Sequence, residues 1–286
     1  VVAFVADDAS SNASSNASSN ASSNASSNAS SNASSNVSSN AAAVPLLFPK
    51  LQMRPGSIVH VRCLSHGLNN SGKKCNNEDV NKFLEATSAI ASNSVARALW
   101  KTVTGHPETR IGPTRWYDNV VHAQNKFDHR AHLTEYYSSL TVSEAHRDKV
   151  PELLGGKRRT TKLLVGLAGF LDVAEVFAKA CYALEGDYGT SFFAFDVLDN
   201  IRALCDSVTA VPCTHCFARV DTVFEEREVP SDKRESYKKR YVLECLEPMI
   251  QHFRDRVFGG DRATTVQLYC VLRVFDPNYV RHLNIH

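Results

Sequence analysis

The chain has 286 residues, and its 32 Lys and Arg nearly balance its 30 Asp and Glu, so the formal net charge is only +2. This length suits one large domain or two ordinary ones, and a hydrophobic fraction of 43% allows a sizeable core. The composition excludes a global basic field that would draw the chain onto nucleic acid, so any DNA contact must come from local patches. No run approaches the roughly 18 apolar residues of a membrane span, and we expect no membrane partner.

The first predicted element is an apolar strand from Val1 to Ala6, which ends at Asp7. The strand is too short for a signal-peptide core, and no basic segment precedes it. Because the chain does not begin with Met, we interpret it as an excised or incomplete piece. An acid at the carboxyl end of a strand is well placed to hold a divalent metal ion, although it equally suits the cap of a turn.

Residues 10–40 repeat Ser-Ser-Asn-Ala, and only Val37 breaks the pattern. The repeat contains nothing to bury, and Ser and Asn compete for backbone hydrogen bonds, so we predict a disordered insert that continues as a linker to residue 56. It also contains Asn-x-Ser sequons, which would carry glycans only in a secreted protein. Without an export signal, an unglycosylated low-complexity insert is the preferred interpretation.

Residues 57–63 alternate in hydrophobicity with a period of two, which predicts a second strand ending at Cys63. Cys63 and His66 have a spacing that can begin a zinc site, and residues 213–216 (Cys-Thr-His-Cys) hold the nearest second pair of cysteines. The alternative for residues 213–216 is a turn between helices. Eight cysteines in a chain too large to need disulfides indicate reduced thiols, as in the cytosol or nucleus.

The rest of the chain predicts helices. Residues 77–100 form one or two of them, and residues 104–113 form a loop. Arg115 and Trp116 open the next helix, with Thr114 as its N-cap. An apolar face follows in that helix: Tyr117, Val120, Val121, Gln124 and Phe127. Later helices are predicted at 163–184, ended by Gly186, at 192–204, at 231–257 with a kink at Pro248, and at 266–275, where a strand is the alternative.

Two segments have residue types that suit DNA contacts. An exposed Trp116 beside Arg115 can stack on a base and pair with a phosphate; the alternative is a core Trp with a solvated Arg. The densest basic run contains Lys157, Arg158 and Arg159, which either contact a DNA backbone or lie in a solvated loop. The glycine spacing in this run does not fit a phosphate-binding loop.

The order of these segments resembles the catalytic core of hAT-type transposases. Residues 2–10 are similar to the strand that ends in the second catalytic aspartate of that family. Cys63-Leu64-Ser65-His66 resembles its Cys-x-x-His strand-to-helix junction, and Thr114-Arg115-Trp116 resembles the Thr-Arg-Trp that enters its helical insertion. Residues 271–279 resemble the Asp-Pro segment near the end of that insertion. The resemblance covers most of the chain outside the Ser/Asn repeat.

The resemblance implies an α/β plus all-α fold that is predominantly helical. Residues 1–9 and 57–113 would form a partial RNase H-like sheet, and residues 114–286 the helical insertion that interrupts it. Asp7 would be a catalytic residue and a ligand of Mg²⁺ or Mn²⁺ in the intact parent enzyme; Asp8 replaces it if the strand register shifts by one. The other two metal-binding acids would lie outside this chain. Because one Asp cannot hold two metal ions, we expect the chain to be catalytically silent by itself.

The resemblance also places Cys63, His66 and Trp116 on the DNA side of the active site, with no zinc role. We expect DNA as the partner, a nuclear or else cytoplasmic location, and no small-molecule substrate. A transposase-derived interaction module without chemistry, which self-associates through helical faces, is the alternative function. A secreted protein with disulfides is a third possibility.

Overall fold

A computed structural model describes residues 2–6, 58–112, 115–140, 149–185 and 190–273. The described part is predominantly helical, as the sequence predicts. The predictions for the Ser/Asn repeat, for Asp7 and Asp8, and for the Asp-Pro segment at residues 276–277 lie outside these residues. None of the described helices is both long enough and apolar enough to cross a bilayer.

Both predicted strands form, and they pair with each other. Strand β1 spans Val2–Ala6, strand β2 spans Ile58–Arg62, and the two run parallel with Val2 opposite Ile58 and Ala6 opposite Arg62. Parallel pairing in this register brings both carboxyl ends to one edge. Within the described residues the sheet has these two strands, so the larger RNase H-like sheet implied by the resemblance is not supported there.

The helices follow in chain order. Their bounds are Leu64–Gly72 (α1), Glu78–Ile90 (α2), Ser94–Thr104 (α3), Tyr117–Asp128 (α4), Leu133–Ser139 (α5), Lys149–Leu153 (α6), Lys157–Glu185 (α7), Thr190–Thr209 (α8), Ala218–Glu226 (α9), Ser231–Lys238 (α10), Glu244–His252 (α11) and Ala263–Leu272 (α12). Short 3₁₀ turns cover Arg130–His132 and Gly260–Arg262, and π-helical turns cover Lys239–Leu243 and Phe253–Phe258.

Local chemistry explains several helix ends. The Asn77 side chain accepts a hydrogen bond from the Val80 amide at 3.1 Å and caps α2. Asn93 caps α3 in the same way through the Val95 amide at 2.8 Å. Gly105 ends α3 with a φ of 75°, a left-handed conformation that glycine adopts without a steric penalty. Residues 77–100 therefore form two helices rather than one.

Helix α7 lies at the centre of the helical region. Its 29 residues include a nearly continuous buried stretch from Thr160 to Cys181, and helices α1, α4, α8 and α9 pack around it. The segment predicted as one helix, 231–257, is helical throughout, and π-helical turns lie on either side of the stretch that contains Pro248. Pro248 itself lies inside the α-helical stretch Glu244–His252, although it lacks the amide that would donate to the preceding turn. Helix α12 confirms a helix rather than a strand for most of 266–275.

Candidate nucleic-acid interface

The candidate site begins where β2 passes into α1. Cys63 is the N-cap residue of α1, and Ser65 and His66 lie in its first turn. The two strands end at the same edge of the pair, where Ala6 lies opposite Arg62, the residue that precedes Cys63. Asp7 itself lies outside the described residues, so its predicted metal-binding role remains a prediction.

A carboxylate from a distant helix connects this turn to Arg115. Glu185, the last residue of α7, accepts a hydrogen bond from the Ser65 hydroxyl at 2.6 Å and from the Arg115 guanidinium at 2.8 Å. The Tyr117 hydroxyl donates to the same Glu185 oxygen as Arg115, also at 2.8 Å, and contacts Arg115 itself. Four side chains from three helical segments therefore form one cluster, which we call the Glu185 cluster.

The Glu185 cluster leaves a cation at the surface. The Arg115 side chain is 54% exposed, and Glu185 is 31% exposed. Within the described residues the hydrogen bonds of the Arg115 guanidinium are made by Nη1, which leaves donors on the other nitrogens for a ligand. Glu185 and Tyr117 raise the pKa of Arg115. Arg115 is therefore a fixed, permanently charged group that can bind an anion.

The neighbouring thiol and phenol stay protonated. Burial raises the pKa of Cys181, whose sulfur contacts the Ser65 carbonyl at 3.8 Å, to about 12. Burial, followed by the hydrogen bond to Glu185, raises the pKa of Tyr117 above its ordinary value. Neither group is a ready nucleophile at neutral pH, so the described side chains of this cluster suit binding rather than bond cleavage.

Of the two alternatives for Trp116, the exposed indole is wrong and the core tryptophan beside a solvated arginine is confirmed. Trp116 is only 5% exposed, its ring packs edge-on against Phe170 of α7 at 5.8 Å, and its amide donates to the Asn69 side chain at 2.7 Å. Helix α4 also begins later than predicted, with Trp116 rather than Thr114 as its N-cap residue. The indole fills the space over Gly72, where a methyl group would lie 2.1 Å from the ring. It therefore stabilises the contact of α1 with α7 and is not available to stack on a base.

The predicted basic run lies elsewhere on the molecule. Lys157, Arg158 and Arg159 are exposed in the first turn of α7, whereas Glu185 is its last residue. At a rise of 1.5 Å per residue the two ends are roughly 40 Å apart. Lys157 pairs with Glu228 at 3.0 Å, and Arg159 lies 4.0 Å from Glu152. Ser65, which lies between the predicted Cys63 and His66, is linked through Glu185 to the predicted Arg115, whereas residues 157–159 lie at a separate surface.

The zinc alternative gains no support from the described residues, where no three His, Cys, Asp or Glu side chains converge in a way that could hold a metal ion. Residues 213–217 form a turn between α8 and α9, in which the Thr214 and His215 amides donate to the Ser207 carbonyl at 3.1 and 3.2 Å. All eight cysteines are described, and none of them forms a disulfide. The alternative of a turn is confirmed.

Sequence reasoning missed three members of the Glu185 cluster: Ser65, Tyr117 and Glu185. A carboxylate at the end of a helix carries no periodic signal, and its partners lie 120 and 70 residues away in sequence. One sequence feature could have drawn attention to Glu185: it directly precedes Gly186, the predicted end of the helix, and is therefore the last helical residue. Comparison with known proteins adds no candidate residues, because no family model, no curated protein and no solved structure significantly matches the chain.

Proposed function

We propose that this chain is a fragment of a hAT-like transposase core and that it contacts DNA at the carboxyl edge of its strand pair. The parent activity would be metal-dependent DNA strand cleavage and transfer, in which a hydroxyl or water attacks a phosphodiester. The observation that carries the proposal is the Glu185 cluster. It joins the Cys63–His66 turn to Arg115, two segments that the resemblance assigns to the same DNA-facing surface.

The roles of the individual residues follow from their positions. Arg115 would pair with a backbone phosphate through its exposed donors, and the Glu185 carboxylate would hold the guanidinium in place. Cys63 and His66 would contact the strand next to that phosphate. DNA contacts in this class of site are sequence-independent, so the proposal names no target sequence.

The described residues do not themselves fit a catalytic metal. Glu185 is the acid nearest the Cys63–His66 turn in the cluster, but Ser65, Tyr117 and Arg115 already occupy its oxygens. Mg²⁺ or Mn²⁺ would therefore require Asp7 and further acids from outside the described residues. We derive no cleavage step for this chain, and its proposed role is binding.

A titration of labelled duplex DNA tests the proposal. We expect the purified chain to bind the duplex with an affinity that falls between about 50 and 200 mM salt. Arg115→Gln should weaken binding and reduce the slope of log K against log salt by about 0.9, the value for one lost phosphate contact. Arg202→Gln is the matched control, because Arg202 is 49% exposed and pairs with Asp199 on α8. Equal affinity and equal slope in the Arg115 variant and the parent would overturn the assignment.

A self-associating interaction module is the second candidate, and one surface feature favours it. A groove of about 380 Å³ lies between α4 and α7, and two apolar side chains at its edge, Val121 and Tyr182, are 48% and 49% exposed. The charged rim is internally paired, since Glu175 binds both Lys179 and Arg219. The partner proposed for this groove is the same apolar surface on a second copy of the chain, as in a symmetric dimer. A dimer without salt-dependent DNA affinity would favour this function over the first.

The predicted nuclear location follows from the proposed DNA partner, and a cytoplasmic location suits the self-associating module. Both locations stay predictions that depend on which of the two functions the DNA titration supports.

A further inference from the structure

Helix α7 and the π-helical turn Lys239–Leu243 together place cations beside the rings of half-buried tyrosines. The Lys162 ammonium lies 5.5 Å from the centre of the Tyr241 ring, and the Arg240 guanidinium lies 5.7 Å from the same ring. The Tyr237 ring contacts Tyr241 at a centroid distance of 5.3 Å and an angle of 66°. Both tyrosines are half-buried residues. We call these four residues the Tyr241 patch.

The positive charge of the Tyr241 patch is not neutralised locally. Within the described residues neither Lys162 nor Arg240 forms an ion pair, whereas the neighbouring Lys238 pairs with Glu235. Arg158 precedes Lys162 by one helical turn on the same face of α7, and it also lacks an ion pair there. The patch thus continues the basic run of residues 157–159, and it offers a row of cations to an anionic ligand.

The backbone under the patch is held rigidly against α7 and α2. The Asn77 side chain donates to the Tyr241 carbonyl at 3.1 Å. Val242 packs so closely on Gly169 of α7 that a methyl group at Gly169 would lie 2.4 Å from it. Both contacts fix the π-helical turn, a local structure often found at functional sites. A preorganised surface loses little conformational entropy when it binds a ligand.

We propose that the Tyr241 patch binds single-stranded nucleic acid. Lys162, Arg240 and Arg158 would follow the phosphates of the strand, and Tyr241 and Tyr237 would stack on its unpaired bases. In a duplex the base faces are covered by neighbouring base pairs, and an acidic peptide has no bases that could stack on the tyrosine rings. A single strand offers both phosphates and unpaired bases, so the combination of rings and cations favours it. The proposal does not depend on the Glu185 cluster, because Lys162 and Glu185 are roughly 35 Å apart along α7.

Anisotropy titrations of labelled oligothymidylate with the whole chain test this binding. We expect salt-dependent binding of the single strand by the parent chain. The double variant Lys162→Gln with Arg240→Gln should reduce the salt slope by about 1.4, since each phosphate contact on a single strand contributes about 0.7. Tyr241→Leu should weaken binding roughly tenfold or more at an unchanged salt slope, because it removes stacking and no charge. Arg202→Gln serves again as the matched control and should bind like the parent.

Several outcomes would overturn the proposal: no binding of the single strand, unchanged affinity in the double variant, or equal competition by polyglutamate at the same charge, which would identify an acidic protein surface instead. Thermal unfolding of Tyr241→Leu and of the double variant checks that the fold persists. The double variant keeps both tyrosine rings, so it tests the proposal even if Tyr241→Leu unfolds. Arg115→Gln separates this proposal from the proposed function. It should weaken duplex binding and leave the affinity for oligothymidylate unchanged.

Discussion

Replacing Lys126 with Met is expected to destabilise the protein by about 3–5 kcal/mol, because it leaves the Glu108 carboxylate buried without its partner. The Lys126 and Glu108 side chains are 0% and 1% exposed, and their charged atoms are 2.5 and 2.6 Å apart. The Lys126 ammonium also lies 3.6 Å from the centre of the Trp100 ring. Burial lowers the pKa of Lys126 to about 8, which reflects how strongly this environment opposes a charge.

Urea unfolding of the variants measures this effect. Lys82→Met is the matched control: Lys82 also pairs with a glutamate, Glu78, at 2.6 Å, but both side chains are exposed, so we expect a change of no more than about 1 kcal/mol. Adding Glu108→Gln to Lys126→Met should recover part of the lost stability, since it removes the unpaired charge. A loss below about 1 kcal/mol in Lys126→Met would show that the pair is not buried as described.

A fall in stability on acidification is the second large effect, and we attribute it to His122. The His122 ring is fully buried; its Nδ1 donates to the Thr109 carbonyl at 3.0 Å, and its Nε2 contacts the Thr87 hydroxyl at 2.8 Å. Burial and the nearby Lys126 lower the pKa of His122 to about 3. Above the ordinary pKa of about 6.5 the ring is neutral in both states. Below it, the unfolded chain binds a proton that the folded protein does not, so stability decreases as the pH falls towards 3.

The contribution of His122 appears as a difference between two pH profiles. In the parent chain it should reduce the free energy of unfolding by up to about 1.4 kcal/mol for each pH unit below about 6. His122→Gln keeps hydrogen-bonding groups but cannot titrate, so its profile should be flatter by this amount in the same window. Parallel profiles for the parent and His122→Gln between pH 6 and 4 would contradict the attribution to His122.

The sequence predicted those parts of the fold that follow from periodicity. Helix α7 and the strand at residues 58–62 formed close to the expected positions, because apolar residues recur in each at the spacing of that element. Helix α4 shows where periodicity fails. Val121 was predicted on the apolar face and is 48% exposed, whereas Lys126 and His122 are fully buried on the other side. Their burial depends on Glu108, Thr87 and Thr109, which come from other segments and have no local signature.

In the candidate site, too, local sequence motifs were predictable and long-range contacts were not. Motif order indicated Cys63, His66 and Arg115, and the structure connects their segments. It did not indicate Glu185, whose contacts are all long-range, and it left open whether Trp116 is exposed. A tryptophan next to an arginine has the same sequence pattern in a core as on a binding surface, and only packing against Gly72 and Phe170 decides between them.

Hydrogen exchange with and without duplex DNA tests the DNA-facing assignment of the Glu185 cluster most directly, because it locates the bound surface segment by segment. We expect slower exchange on DNA binding in peptides that cover residues 63–69 and 115–119. Residues 120–124 and 178–182, which line the apolar groove, should exchange at the same rate. Bound DNA that leaves residues 63–69 and 115–119 unprotected would contradict the assignment, as would protection confined to the groove.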